Sequence, residues 1–155
     1  MNKLTIFDVA NFFLKLVDRE SGSTITPLKL QKILYYAQGY YLAYYNQELF
    51  NEDFQAWAHG SANEQIYEKY KDCGFQAIPF PSNESIPVID DSISDFLTDI
   101  WETFGIYDGK YLEEQTHKED PWIKARGSFA PGERCTNIIT KESMEEFFKK
   151  VINAA

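Results

Sequence analysis

Helical periodicity of hydrophobic residues dominates the chain. Apolar residues recur every three or four positions after Thr5, which forms a capping signature with Asp8. This spacing predicts a first helix that continues to residues 20–23, where glycine and serine break the pattern. Apolar positions between residues 144 and 152 predict a last helix that begins at Thr140.

The clearest helix start lies at Thr26 and Pro27, because a capping hydroxyl precedes a residue that suits the first helical position. Six of the ten tyrosines lie between positions 35 and 45 of this helix. Tyrosine on more than one side predicts a helix that is covered on several faces. Gly39 in its middle predicts a close crossing with another helix. We expect this helix to form the centre of the fold.

Three more helices are predicted in the second half of the chain. Apolar residues at positions 93 to 104 follow a regular helical spacing, and Ser92 with Asp95 gives this segment a cap signature. Asp108 predicts the N-cap of a short helix. Asp120 followed by Pro121 predicts the cap of another.

The segment after the central helix changes to short, alternating aromatic stretches. Residues 48–50 and 54–57 predict two small strands, and residues 59–61 predict a turn into a third helix. That helix is expected to turn three side chains inward: Ile66, Tyr67 and Tyr70. Residues 75–90 hold three of the six prolines and predict a loop that carries at most short edge strands at residues 75–78 and 86–89. Residues 128–139 predict another loop, in which residues 137–139 are a candidate for a short strand.

Together these elements predict a mainly α (α+β) fold. The chain has 155 residues, with 44% hydrophobic and 16% aromatic residues, which is typical of one globular domain. We expect a single domain over residues 1–155, a helical bundle around the tyrosine-rich helix with a small antiparallel β element. The last helix, at about residues 140–153, is expected to pack on it.

The charge balance restricts the classes of partner. There are 24 acidic and 15 basic residues, giving a formal net charge of −9. This excess of negative charge disfavours binding to nucleic acid and to membrane surfaces. The sequence has neither a signal-peptide pattern nor a disulfide framework, so we expect a cytoplasmic location.

Candidate catalytic and metal-binding residues are few. The histidines and cysteines are His59, Cys73, His117 and Cys135, and their spacing does not match a structural zinc site. Cys135 near Arg134 is a conceivable nucleophile with His117 as base, but nothing in the sequence brings them together. We therefore expect no catalytic residue, metal or cofactor.

Two other motifs have simple structural interpretations. The carboxylate pairs at residues 113–114 and 145–146 are adjacent on helices and are expected to lie on solvated faces. Lys29 to Lys32 opens the tyrosine-rich helix and invites a helix-turn-helix interpretation. The apolar and aromatic residues that follow disfavour it, because a recognition helix needs an exposed polar face.

The segment from His117 to Arg126 supports two interpretations. Tryptophan and arginine are frequent in binding hot spots, so Trp122 and Arg126 are candidates for a recognition surface. Alternatively, Trp122 is buried and Arg126 pairs with an acidic residue to fix a loop. The sequence alone favours the structural interpretation.

Four blocks in this order resemble the Panacea domain, also called the SocA-like or phage-associated GepA-like family. The blocks are residues 10–14 (ANFFL), 26–39 (TPLKLQKILYYAQG), 56–60 (AWAHG) and 116–126 (THKEDPWIKAR). The resemblance covers about residues 6–127. One departure is that Ser61 and Ala62 replace the Pro-Val that usually follows the third block.

The resemblance implies an antitoxin, often encoded on prophages, that neutralises a cognate protein toxin by direct contact. Some members are thought to act as adaptors to a protease, such as a Clp-type complex. The family brings no catalytic residue or cofactor. The implied protein-binding residues are Trp57, His59, His117, Trp122 and Arg126, and the implied core motif is Lys29, Leu30, Gln31, Tyr35 and Tyr36.

Two alternatives from other classes stay open. The chain could be a DNA-binding regulator of its own operon, as many antitoxins are, or a small enzyme using Cys135 or His117. Salt-dependent promoter binding and thiol-sensitive activity would distinguish them. The sequence does not give the oligomeric state or the identity of the toxin.

Overall fold

The computed structural model of the chain describes residues 4–82, 84 and 88–154. Within these residues the chain forms seven α-helices, one short 3-10 helix (Lys71–Cys73) and a three-stranded antiparallel sheet. The helices are α1 (Ile6–Leu16), α2 (Pro27–Tyr45), α3 (Glu64–Tyr70), α4 (Asp91–Phe104), α5 (Gly109–Thr116), α6 (Asp120–Arg126) and α7 (Lys141–Ala154). The strands are β1 (Phe54–Trp57), β2 (Gly60–Ala62) and β3 (Ile138–Ile139). The predicted mainly α (α+β) fold is confirmed.

The tyrosine-rich helix α2 is the centre of the fold. Twelve of its nineteen residues are buried, so it is enclosed on most sides by other elements. The Thr26 hydroxyl accepts a hydrogen bond from the backbone nitrogen of Lys29 at 3.2 Å, and Pro27 occupies the first turn. The predicted helix start is therefore confirmed.

Helix α7 packs closely against α2 at Gly39. A Cβ atom built on Gly39 would lie 2.2 Å from Cε2 of Phe148, closer than any real contact. The buried Phe148 ring also contacts the Tyr35 ring, with centroids 5.8 Å apart. The close crossing that Gly39 predicts is confirmed, and the C-terminal helix supplies the other side of it.

The first and last helices begin where the sequence predicts. Thr5 and Asp8 form a reciprocal capping box, and the Thr140 hydroxyl accepts from the backbone nitrogen of Ser143 at 3.1 Å. However, α1 ends at Leu16 rather than at residues 20–23. The chain turns after this helix because Asp18 and Ser21 hydrogen-bond each other locally.

Two predicted caps are displaced by one or two residues. Helix α4 begins at Asp91 with Asp90 as its N-cap, so the predicted cap at Ser92 and Asp95 is wrong. Helix α6 has Glu119 as its N-cap, and Asp120 is its first residue. Proline tolerates either of the first two positions of a helix, so Pro121 alone does not fix the start. The predicted cap at Asp108 is confirmed, with a 2.8 Å bond from the backbone nitrogen of Tyr111.

The sheet has the order β2-β1-β3, with Trp57 opposite Gly60 in the hairpin and Phe54 opposite Ile139. Residues 59–61 were expected as a turn, but Gly60 and Ser61 belong to β2 and the turn consists of Ala58 and His59. The strand predicted within residues 137–139 is confirmed as β3.

The strand predicted at residues 48–50 is wrong. The buried side chain of Gln38 accepts from the backbone nitrogen of Leu49 at 2.7 Å and donates to the carbonyl of Phe50 at 2.7 Å. Because a helix side chain satisfies these backbone groups, the segment does not pair with a strand.

The loop predicted over residues 75–90 is confirmed at the residues that the structure describes. Residues 75–78 form no strand, and the backbone nitrogen of Ile78 donates to the carbonyl of Ile25 at 2.8 Å. Part of the candidate edge strand at residues 86–89 lies outside the described residues. One prediction for the third helix is wrong. In α3, Ile66 and Tyr70 face inward as predicted, but Tyr67 is exposed.

The buried apolar residues of α1, α2, α4 and β1 belong to one hydrophobic cluster, which also includes Phe148 of α7. The β1–β2 hairpin packs on this cluster, where β2 contacts α2 and α5 and β1 contacts α6. In the described part of the chain, no helix is long and apolar enough to cross a membrane.

Candidate protein-binding site

Three side chains from one segment hold three consecutive carbonyls of the hairpin. Arg126 Nη1 donates to the carbonyl of Ala56 at 2.9 Å, and Trp122 Nε1 donates to that of Trp57 at 2.8 Å. Nε2 of His117 lies 2.9 Å from the next carbonyl, that of Ala58. We call His117, Trp122 and Arg126 the carbonyl clamp. It fixes the end of β1 and the turn that follows.

Arg126 is the most heavily engaged member of the carbonyl clamp. It is buried, and its Nη2 also donates to the carbonyls of Ala130 and Glu133. Its guanidinium lies 4.8 Å from the centroid of the Trp122 ring. Within the described residues its partners are backbone carbonyls, so the expected pairing with an acidic side chain is wrong. The expected burial of Trp122 is confirmed.

His117 is partly buried between the hairpin and Trp122. Its ring centroid lies 4.4 Å from that of Trp122. Burial lowers the pKa of His117, because it disfavours the charged imidazolium, although Ala58 and Glu113 oppose this effect. The neutral ring with its proton on Nε2 fits the hydrogen bond to Ala58.

The second turn of α2 holds the other strand of the hairpin. Lys32 is fully buried, and its Nζ donates to the carbonyl of Ser61 at 2.9 Å. Gln31 makes two bonds with the backbone of Asn63, donating to its carbonyl at 2.9 Å and accepting from its nitrogen at 2.8 Å. Burial lowers the pKa of Lys32 to about 7, and the Glu113 charge partly opposes this shift.

Gly60 allows the hairpin to approach this lysine. Its φ is +94°, and a Cβ there would lie 2.5 Å from Oγ1 of Thr116 and 2.9 Å from Cε of Lys32. Glycine is therefore required both for the backbone conformation and for the space.

The remaining motif residues of α2 attach this helix to α4 and α6. Lys29 Nζ donates to the carbonyl of Gly105 at 2.5 Å and lies 5.1 Å from the Trp101 ring centroid, and Leu30 is fully buried. Because Lys29 is engaged and Lys32 is buried, these lysines do not form the exposed face that a DNA-recognition helix needs.

Tyr35 and Tyr36 lie in the aromatic core. The Tyr35 ring packs edge-on against Phe54 of β1, with centroids 5.5 Å apart. The Tyr36 hydroxyl bonds both carboxylate oxygens of Glu119, at 3.2 and 3.1 Å. Burial raises the pKa of Glu119 to about 7, although the hydrogen bonds from Tyr36 oppose the shift.

Sequence reasoning missed a buried carboxylate near the hairpin. The sequence predicts that Glu113 lies on a solvated face, but its side chain is buried. Its Oε1 lies 3.7 Å from Nδ1 of His59, and its Oε2 lies 2.7 Å from Nζ of Lys110. The signal for it was its position on the same helix face as Leu112 and Thr116, both buried. The corresponding signal for Lys32 was its position on the same helix face as Tyr35, Tyr36 and Gly39, all buried.

The outer surface of the hairpin borders an open groove of about 760 Å³. We call it the hairpin groove. Its lining includes Trp57, His59, Glu64, Tyr67, Glu68, Arg134 and Cys135. Trp57 packs edge-on against Tyr67, with centroids 5.3 Å apart, and its Nε1 donates to Gln55 at 2.7 Å.

The five predicted protein-binding residues thus divide into two groups. Trp57 and His59 line the hairpin groove, and the His59 side chain is 79% exposed. His117, Trp122 and Arg126 lie behind the hairpin, and the last two are buried. A partner can therefore contact the first group directly, whereas the carbonyl clamp acts on the backbone that carries this group.

The candidate catalytic pair is not assembled. Cys135 is buried beside the hairpin groove, whereas His117 is engaged with Ala58 and does not line this groove. Cys73 is partly buried and unpaired. Among the residues that the structure describes, no three His, Cys, Asp or Glu side chains form a group that could hold a metal ion.

The sequence profile of the family described as antitoxin SocA-like, Panacea domain, matches residues 30–123. The match spans more than half of the chain and contains the α2 motif from Leu30, the hairpin, His117 and Trp122. No curated protein and no solved structure is significantly similar to the chain. The chain therefore belongs to the family of SocA-like antitoxins with a Panacea domain, as its sequence blocks predict.

Proposed function

We propose that this chain neutralises a cognate protein toxin by direct contact through the hairpin groove. The observation that carries this proposal is the carbonyl clamp, which holds three consecutive carbonyls of the hairpin. A turn fixed in this way presents Trp57 and His59 with little conformational freedom to lose on binding. A preformed aromatic surface is typical of protein interfaces.

The two groups of residues take different roles in this proposal. Trp57 and His59 contact the toxin, because they line the hairpin groove. His117, Trp122 and Arg126 are positioning residues, because they hold the backbone behind it. The residues Lys29, Leu30, Gln31, Tyr35 and Tyr36 support the same hairpin and core from α2.

Charge supports a basic toxin as the partner. The chain has a formal net charge of −9, and an acidic protein attracts a basic partner over distances of about a Debye length. The aromatic residues of the hairpin groove would then supply short-range affinity.

Further features of the proposal have two sources. A single domain over residues 1–155 and a cytoplasmic location are expected from the sequence, whereas a prophage-encoded origin and delivery of the toxin to a Clp-type protease are implied by the family resemblance. Binding without catalysis is part of the same proposal, and its support is that family membership brings no catalytic residue.

Co-expression tests the proposal. The product of the reading frame next to this chain's gene is expressed alone and together with the chain, and cell growth is measured. We expect the product to be toxic alone and tolerated with the chain. If the product is harmless, or if it stays toxic in the presence of the chain, the proposed neutralisation is wrong.

Variants then test the hairpin groove. We expect Trp57→Ala and His59→Ala to weaken toxin binding about 10-fold or more without changing the thermal unfolding midpoint by more than a few degrees. Lys124→Ala is the matched control, because Lys124 is exposed on α6 and does not line the groove. Equal toxin binding by the groove variants and the control would exclude the hairpin groove as the contact.

A further inference from the structure

A second groove lies between the C-terminal half of α2 and helix α4, with a volume of about 440 Å³. We call it the tyrosine groove. The residues that matter for its chemistry are Tyr40, Tyr44, Tyr45, Asp95, Phe96 and Asp99. None of them lines the hairpin groove, and none is among the residues for which the sequence predicts protein binding.

The floor of the tyrosine groove is a row of rings that leads from the core to the surface. The Tyr40 ring contacts the buried Phe148 ring, with centroids 4.7 Å apart. It is inclined by 27° to the Tyr44 ring, whose centroid is 6.4 Å away. The centroid of the Tyr45 ring lies 6.0 Å from that of the Phe96 ring of α4. Tyr44 is 57% exposed and Tyr45 is 49% exposed, so two tyrosine faces are available to a partner.

The wall of the tyrosine groove is negatively charged. Asp95 and Asp99 are exposed and lie one helical turn apart on α4. No ion pair involves either of them within the described part of the chain. Helix α4 contains four acidic residues and no Lys or Arg, and the part of α2 from residue 38 to 45 contains no charged residue. Among residues 4–82, 84 and 88–154, no basic side chain lines this groove to neutralise the two carboxylates.

Aromatic faces next to unpaired carboxylates favour one kind of side chain. A guanidinium can stack on a tyrosine ring and donate hydrogen bonds to a carboxylate at the same time, because it is planar and carries several N–H groups. A second copy of this chain is a poor occupant, since two chains with a net charge of −9 repel each other.

We propose that the tyrosine groove binds an arginine-bearing basic segment of the toxin. This inference rests on the proposed function and adds a second contact surface to it. The hairpin groove supplies one anchor, and the tyrosine groove recognises positive charge through Tyr44, Tyr45, Asp95 and Asp99. A toxin that reaches both grooves is held at two separate points of the surface.

The test compares two variants that remove the same charge from the same helix. Asp95→Asn with Asp99→Asn changes the groove wall, and Asp91→Asn with Glu102→Gln changes exposed residues of α4 that do not line the groove. The toxin's dissociation constant is measured by calorimetry at low and high salt for both double variants. Tyr44→Ala is measured in the same way.

We expect the groove variant to bind the toxin about 10- to 100-fold more weakly at low salt, and the control to bind within about threefold of the unmodified chain. The difference should shrink at high salt, because screening weakens exposed charges. Tyr44→Ala should weaken binding at both salt concentrations, because stacking persists when charge is screened.

The outcomes separate this inference from the proposed function. If the unmodified chain does not bind the toxin, both are wrong. If it binds and the two double variants lose affinity equally, net charge explains the effect and the tyrosine groove is not a contact. If the groove variant changes only the chain's own oligomeric state, measured by light scattering, the groove is a self-association surface and the inference is overturned.

Discussion

The indole nitrogen of Trp122 donates a hydrogen bond to the carbonyl oxygen of Trp57, 65 positions earlier in the chain, at 2.8 Å. One tryptophan, itself buried, thereby fixes the backbone of a second tryptophan that lines the hairpin groove. Ala56 and Ala58, on either side of Trp57, have their carbonyls held by Arg126 and His117. Side chains of the block at residues 116–126 thus hold backbone carbonyls of the block at residues 56–60. This contact explains why the two blocks occur together.

Loss of Arg126 should destabilise the protein. Arg126→Met removes the donors for three carbonyls, and the carbonyl of Ala56, a buried residue, is left without this partner at a high cost. We expect the free energy of unfolding in urea to fall by about 2–4 kcal/mol. Lys124→Met, an exposed change on the same helix, is the control and should stay within about 0.5 kcal/mol of the unmodified chain. Equal stability of the two variants would refute the structural role of Arg126.

Gly39 should not tolerate alanine. Gly39→Ala places a methyl group where the Phe148 ring lies, and overpacking of a buried helix crossing costs about 1–3 kcal/mol. Gly132→Ala is the matched control, because a Cβ at Gly132 has no neighbour within 4 Å. Thermal unfolding midpoints of both variants check this prediction. Combining Gly39→Ala with Phe148→Leu should recover part of the loss, and no recovery would show that the strain arises elsewhere.

Burial of Glu119 predicts a stability that falls between about pH 4.5 and 7. The folded protein binds the Glu119 proton more tightly than the unfolded chain does, because its pKa is raised to about 7. Stability therefore decreases as the pH rises through this window, by at most about 1.4 kcal/mol per pH unit. Glu119→Gln keeps an oxygen acceptor for Tyr36 but cannot titrate. The free energy of unfolding is measured in urea at several pH values for both proteins. That of Glu119→Gln should increase relative to that of the unmodified chain as the pH rises to 7. A difference that does not change with pH would contradict the prediction.

Burial of Lys32 predicts the opposite slope above neutral pH. Its folded pKa of about 7 lies below the ordinary value of 10.5, so the unfolded chain binds more protons between these values. The Lys32 contribution to stability therefore increases as the pH rises from about 7 to 10.5. Lys32→Met should remove this rise, whatever its effect on overall stability. Lys150→Met, which removes one exposed positive charge, is the control for net charge. Parallel pH profiles of the unmodified chain and Lys32→Met would contradict the prediction.

Much of the helical architecture could be predicted because it depends on local signals. Two helix starts could be predicted from adjacent residues: Thr26 before Pro27, and Thr5 with Asp8. Gly39 predicted a close helix crossing, because its lack of a side chain leaves room for one neighbouring ring. The strands were harder to predict. Residues 48–50 alternate like a strand, but the side chain of Gln38, ten positions earlier than the first of them, satisfies their backbone. No local pattern shows such a contact.

The candidate site was predictable as a set of residues but not as a geometry. Trp57 and Trp122 could be identified from the family blocks in the sequence. Only the fold shows that the Trp122 side chain donates a hydrogen bond to the Trp57 backbone. Arg126 was expected to meet a carboxylate, which is the usual partner of a buried arginine, and it meets carbonyls instead. Lys32 escaped notice because buried charges are rare and the residues it faces, Ser61 and Glu113, lie far along the chain. Glu113 escaped notice although Lys110 is only three residues away, because that spacing is equally typical of an exposed ion pair.

The contact between Gly39 of α2 and Phe148 of α7 determines which fragments of this protein can keep an intact core. The family match covers residues 30–123, whereas Phe148 belongs to α7 and the buried face of α1 lies before the match. A fragment cut at the matched limits would leave the Tyr35 and Tyr36 rings without a cover on one side. Chimaeras that exchange toxin specificity between relatives should therefore carry both flanking helices along with the central segment.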